Sequence, residues 1–222
     1  MISKKRFKEI CKKVRISIIE NSYKAKVCHI GSALSCVEIL VDIYFNKLKK
    51  NDIFIFSKAS GVAALYSVLA EKRIIPHNKI AFYLKNYPLP NRKVPGVMID
   101  GGSLGHGLPI AIGIALTNKK RDIYCLMSDG ELQEGTTWES LLFKKQHKLD
   151  NLKIYCDWNK FQACGKIKDI LDIPWDFIKS MGVKVVDTIK GAGVDFLENK
   201  VESHYVNLNE DTYQDAIRQL SA

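Results

Sequence analysis

The stretch Ile123–Gly165, IYCLMSDGELQEGTTWESLLFKKQHKLDNLKIYCDWNKFQACG, decides the fold. An apolar run, Ile123–Met127, ends in Ser128-Asp129-Gly130, and a helix-patterned segment follows. A second apolar run, Leu152–Cys156, ends in Asp157-Trp158-Asn159. Short apolar runs flanking a helical period describe a β-α-β unit. It carries a carboxylate at the end of one strand and a carboxamide at the end of the next. In open parallel sheets ligands bind beyond the carboxyl ends of the strands, so Asp129 and Asn159 are expected side by side there. Two oxygen ligands beside a glycine suit a hard cation that also touches a diphosphate. Magnesium is usually held by one or two protein oxygens together with phosphate oxygens.

Outward from this unit, helix and strand alternate along the chain. Phe7, Ile10, Cys11, Val14 and Ile18 repeat at helical spacing. Ser35 with Glu38 three residues on predicts a capping box for a second helix running to Leu48. Ile53–Phe56 reads as a buried strand and Gly61–Leu69 as a small-residue helix. Pro76, Pro88, Pro90 and Pro95 mark a loop-rich stretch, and Leu104–Leu116 reads as a central helix close to the sheet. Further on come a helix near Trp175–Met181, a strand Val183–Ile189 and a closing helix from Asp211. The expectation is α/β, with a mostly parallel central sheet and helices on both faces.

Composition limits the setting. A hydrophobic content of 46% describes a globular chain, and no apolar run approaches the ~20 residues that span a bilayer. The basic N-terminus MISKKRFKEICKK lacks the apolar region of a signal peptide. Six cysteines show no CxxC spacing, and Cys125 and Cys156 fall inside buried strands. A reducing, cytoplasmic location is therefore expected. The net charge of +10 is spread along the chain as lysine pairs without an arginine cluster, which excludes a nucleic-acid site.

The SDG-x3-EG motif followed by D-W-N resembles the thiamin diphosphate motif of transketolase-like enzymes. Cys28-His29-Ile30-Gly31-Ser32-Ala33-Leu34-Ser35 resembles that family's SGHPGAPLG. Gly102-Ser103-Leu104-Gly105-His106-Gly107-Leu108 resembles its GPLGQGI, and Thr188-Ile189-Lys190-Gly191 its TIKGKG. The motifs stand in family order over nearly the whole chain. The resemblance implies one diphosphate-binding domain over residues 1–222, of the kind found as the N-terminal subunit of a split transketolase. The partner subunit would supply the pyrimidine-binding domain and its catalytic glutamate, within an α2β2 heterotetramer.

What the resemblance implies residue by residue follows from the matched motifs. Asp129 and Asn159, with the Phe161 carbonyl, would hold Mg2+ (or Ca2+). Gly130, Glu131, Ser60, Gly102, Leu104 and His204 would contact the cofactor. His29 and His204 would face the sugar and serve catalysis, and Glu134 and Glu139 would line the interface between subunits. His106 replaces the family's glutamine, while His77 and His147 fall in polar segments.

Three departures stand out. Ser57-Lys58-Ala59-Ser60-Gly61 replaces S-x-GHG, so Ser60 stands at a histidine position. Pro88-Leu89-Pro90 replaces GHP, with Leu89 at another. A helix-bearing VDGHD segment is absent after Gly182, which leaves the sheet a strand shorter. The reading is transfer of a two-carbon ketol unit between sugars, and the departures predict feeble activity on ordinary phosphorylated ketoses. A related thiamin diphosphate enzyme acting on an unusual or nucleotide-linked sugar and a non-catalytic scaffold are the alternatives.

Overall fold

The computed structural model describes residues 1–221. Its elements in chain order are α1 (Lys4–Ala25), α2 (Ile30–Ser35), α3 (Val37–Asp42), β1 (Ile53–Phe56), α4 (Val62–Glu71), α5 (Ile80–Asn86) and α6 (Gly107–Thr117). They continue as β2 (Ile123–Ser128), α7 (Gly135–Gln146), β3 (Leu152–Trp158), α8 (Ile167–Ile170), α9 (Trp175–Ser180), β4 (Val183–Asp187) and α10 (Glu210–Ser221). The four strands form one parallel sheet in the order β1-β2-β3-β4.

Period-two alternation divides the strand side chains between two cores. Phe54, Phe56, Tyr124, Leu126 and Tyr155 face a layer built from α1, α2, α3, α4, α5 and α10. Ile55, Cys125, Met127, Ile154 and Cys156 face α6, α7 and α9. Strands covered on both faces read as continuous apolar runs, which is why Ile123–Met127 shows no alternation of its own. In α1 the stripe Ile10, Val14 and Ile18 is fully buried, each side chain worth about 1.5–3 kcal/mol on burial. Ser3 caps α1 by accepting the Arg6 amide at 3.2 Å, and Lys26 ends it in the left-handed region at φ 54°.

Several boundaries differ from the sequence reading. Ser35 does not cap a helix to Leu48. It closes α2, its hydroxyl lies 2.6 Å from Asp157 Oδ2, and the chain re-enters helix at Val37 and finishes in a π turn, Ile43–Lys47. Glu38 pairs instead with Arg15 at 2.7 Å. The proline-marked stretch contains α5, whose Ile80 and Leu84 reach the core. The central helix begins at Gly107 rather than Leu104, and β4 stops at Asp187, ahead of Ile189. All six cysteines are free. No helix among the described residues is long and apolar enough to cross a membrane.

Candidate active site

A cavity of about 250 Å³ opens at the carboxyl ends of β1, β2 and β3. His29 and Ser32 enter from the start of α2, and Lys58, Ala59 and Ser60 follow β1. Ser128, Asp129 and Gly130 close β2, Phe161–Ala163 follow β3, and His204 and Tyr205 come from the long loop before α10. Leu89, Gly102 and Leu104 stand at the mouth.

The floor is a buried polar net. Lys58, 1% exposed, places Nζ 3.1 Å from Asp157 Oδ2, and Asp157 is fully buried. Asp157 Oδ1 accepts the Thr188 hydroxyl, while Ser35 Oγ bonds Oδ2 and accepts from Asn159 Nδ2 at 3.2 Å. Burial by itself pulls the Lys58 ammonium down, but the Asp157 carboxylate outweighs it and holds the lysine above its ordinary value. Lys190 is equally buried, but it bonds the Gln162 and Val201 carbonyls, each at 3.4 Å, and lies 5.7 Å from the centre of the Phe161 ring. Burial and the nearby Lys58 charge push it down from 10.5 to about 8.

Asp129 bridges two strand ends: Oδ1 accepts the Gly130 amide at 2.9 Å and Oδ2 the Lys160 amide at 2.6 Å. Burial raises its carboxyl to about 7, against the pull of Lys58. Asn159 is equally buried but does not line the cavity, and its Oδ1 accepts the Phe161 amide at 3.0 Å. The two histidines meet edge to face, 4.9 Å apart, with Tyr205 against both. His29 sits at φ 67°, and its amide donates to the His204 carbonyl at 2.9 Å. Burial first, then the Lys190 charge, drives His204 down to about 3, and His29 is lowered by burial and Lys58. Both shifts favour the neutral imidazole, and among the described residues the buried His204 Nδ1 has no partner.

These residues fit a cation-bound diphosphate. Among the described residues His204 Nδ1 lacks the partner that a buried polar atom requires, and Lys190 bonds only carbonyls and has no anionic partner. Asp129, the Asn159 amide and the Phe161 carbonyl would offer hard oxygens to such a cation. Among the described residues no three His, Cys, Asp or Glu side chains converge as a cage, so phosphate oxygens would have to complete the coordination.

Of the residues singled out in sequence, His29, Ser60, Gly102, Leu104, Asp129, Gly130, Phe161 and His204 line this cavity. Glu131 lies behind its wall, fully buried. Its carboxylate takes hydrogen bonds from Ser57 Oγ, the Gly105 amide (3.2 Å), and the Ser128 amide (2.7 Å) and hydroxyl (3.1 Å). This capping box starts the turn after β2. Glu134 is half-buried at the start of α7 and Glu139 is exposed on that helix, both away from the cavity. Gly107 abuts Ser57, and a Cβ there would lie 2.4 Å from Ser57 Oγ, so the close approach of α6 to β1 requires glycine. His106, His77 and His147 are exposed.

Sequence reasoning missed Lys58, Asp157, Thr188 and Ser35 as a unit. A charged residue closing the apolar run Ile154–Asp157 was the available signal, because a buried carboxylate demands a partner.

Comparison with known proteins identifies the family. Residues 7–212 match the family described as "Transketolase, thiamine diphosphate binding domain". A subunit of the apulose-4-phosphate transketolase of Actinobacillus succinogenes is 35% identical, covering 97% of this chain and 95% of that protein. That alignment runs over 265 positions, more than the 222 residues here, so the relative carries segments this chain lacks. The 6-deoxy-6-sulfo-D-fructose transketolase subunit SqwG of a Clostridium species is 30% identical, with 93% of each chain covered. Among solved structures, transketolase from Campylobacter jejuni superposes with a TM-score of 0.90 at 23% identity. It covers 99% of this chain, which spans only 43% of that structure. The chain belongs to the transketolase family and corresponds to its N-terminal, thiamine diphosphate binding domain.

Proposed function

We propose that this chain, as a single domain, is the diphosphate-binding subunit of a split, cytoplasmic transketolase-like enzyme that moves a two-carbon ketol unit between sugars. Thiamin diphosphate, when bound, supplies a carbanion that attacks a ketone and stabilises the fragment left behind. Asp129, Asn159 and the Phe161 carbonyl would hold magnesium, and Gly130 lets backbone approach the phosphates. Lys190 and His204 Nδ1 offer charge and a hydrogen bond to the anion. Neutral His29 can accept or return a proton at a sugar hydroxyl.

The observation that carries the split reading is the set of carboxylates. Among the described lining residues Asp129 is the single one, and it is engaged with the Lys160 and Gly130 amides. A glutamate that activates the cofactor's aminopyrimidine would have to come from a partner chain. Relatives that match over nearly their full length are themselves named as subunits, which supports that arrangement. An α2β2 assembly, with two such chains meeting near Glu134 and Glu139, is the form we propose.

The substrate is proposed to be an unusual sugar. Ser60 and Leu89, at family histidine positions, both line the cavity, and relatives are named for apulose 4-phosphate and a sulfofructose. Calorimetric titration of the reconstituted complex with magnesium and thiamin diphosphate tests the core of the proposal. Asp129→Ala should lose at least ~100-fold in affinity, about 2.7 kcal/mol, with its unfolding midpoint little changed. Equal affinities would remove Asp129 as a ligand, and full turnover by the isolated chain would end the split-subunit reading.

A further inference from the structure

A second, larger cavity of about 580 Å³ lies on the far side of Phe161, outside the site described above. It is lined by Trp158 at the end of β3, Trp175 at the start of α9, Phe161 and Ile167, together with Lys160, Lys166, Lys168, Asp172 and Asn199. The volume falls in the range of small-molecule sites, which are mostly apolar with a few placed polar groups.

The lining is chemically specific. The Trp158 and Trp175 rings stand 4.7 Å apart at 35°, both half-buried, and form a continuous aromatic wall. Among the described residues neither indole nitrogen has an acceptor, whereas Trp138, outside this cavity, donates to the Leu132 carbonyl at 2.8 Å. The loop that carries the lysines is held in place: Phe161 bridges to Lys166, the Gln162 amide donates to Gly165 O at 2.9 Å, and the Ile167 amide to Lys160 O at 3.0 Å.

Charge on the rim is unequal. Lys160 lies over the Trp158 ring at 5.3 Å and pairs with Asp187 at 2.5 Å. Among the described residues Lys166 and Lys168 make no ion pair. Asp172 directs Oδ1 to the Ile173 amide at 3.0 Å. Two uncommitted cations beside an aromatic wall leave the cavity with places for a flat ring and an anion. Base–aromatic stacking tolerates any base because each has a π-face, and lysine serves as a point charge for phosphate.

We propose that this cavity binds a mononucleotide, its base stacked on Trp158 and Trp175 and its phosphate held by Lys166 and Lys168. The site is distinct from the first cavity, and the two share only Phe161 as a wall.

Tryptophan fluorescence of the full chain, titrated with AMP, UMP, adenosine and inorganic phosphate, tests the proposal. AMP should quench saturably, UMP several-fold more weakly because its ring is smaller, and adenosine or phosphate alone at least tenfold more weakly. Lys166→Ala/Lys168→Ala, at two exposed positions that leave the core intact, should weaken AMP binding at least tenfold. Trp175→Leu should abolish the quenching, with its unfolding midpoint measured alongside. Absence of saturable quenching overturns the proposal. So does AMP binding that the double lysine variant leaves unchanged, or that inorganic pyrophosphate with magnesium displaces, because either result places the ligand in the first cavity or elsewhere.

Discussion

Two lysines serve the candidate active site, Lys58 in its lining and Lys190 behind it, equally buried and oppositely treated. Lys58 has a carboxylate at 3.1 Å, and Lys190 has two carbonyls at 3.4 Å. The first charge is neutralised by the protein itself. The second is held in readiness for an anion that the protein does not supply. Burial alone therefore says little about a charge: removing one partner of a buried pair costs about 3–5 kcal/mol, whereas an unpaired cation already carries its cost in the ligand-free chain.

The largest way to break this contrast is Asp157→Asn. It strands the Lys58 ammonium and leaves one acceptor oxygen where Ser35 and Thr188 use two, so urea unfolding should show a loss of about 3–5 kcal/mol. The double variant Asp157→Asn/Lys58→Met should recover most of it. A double variant as unstable as the single would mean that the pair is not the source.

Lys190→Met should act the other way. With an ordinary value of 10.5 lowered to about 8, the unfolded chain holds a proton that the folded chain lacks between those values. Wild-type stability therefore gains from this group as pH rises through that window. The variant should be more stable at pH 7 by roughly 1–3 kcal/mol, an advantage that fades between pH 8 and 10.5. Its affinity for inorganic pyrophosphate should fall at least ~10-fold, the change of about 1.4 kcal/mol that losing one charged contact produces. Denaturation at several pH values, with and without pyrophosphate, measures both.

Ser35→Ala removes one hydroxyl from the paired side only. A loss of about 1–2 kcal/mol is expected, since the Asn159 amide and one Asp157 oxygen each lose a partner. Smallest should be the changes at the mouth. Ser60→His and Leu89→His add imidazoles at partly exposed positions, and each should raise turnover of xylulose 5-phosphate with ribose 5-phosphate by at most ~10-fold. A coupled assay of the reconstituted complex reads the outcome, and unchanged rates would make both substitutions neutral.

The parallel sheet was legible because β2 and β3 are covered on both faces and so appear as unbroken apolar runs. The site's position followed, because Asp129 and Asn159 terminate those runs. The capping box at Ser35 misled, since the local pattern matched while the hydroxyl was committed to Asp157, 122 residues away. Four prolines hid α5, whose apolar positions are few. Lys58 with Asp157, and the exposed lysines around Trp158 and Trp175, were illegible for a common reason. Their meaning depends on which distant segments converge, and spacing along one segment carries no trace of that.

The backbone stitch between α2 and the late loop has a consequence for the order in which the molecule can be built. The His29 amide bonds to the His204 carbonyl, and the Gly191 amide bonds to the Gly31 carbonyl, each at 2.9 Å. A Cβ at Gly31 would sit 2.4 Å from Ser203 Oγ, so the two segments touch without a spacer. The active-site cavity is thus closed by residues at opposite ends of the chain. On the ribosome, the sheet and most of both helical layers are synthesised before residue 204 appears. Contacts between sequence-distant segments are the slow ones to form. The anion-binding wall is therefore completed after the core, and pyrophosphate binding would report the arrival of the segment around residue 204 rather than the formation of the sheet.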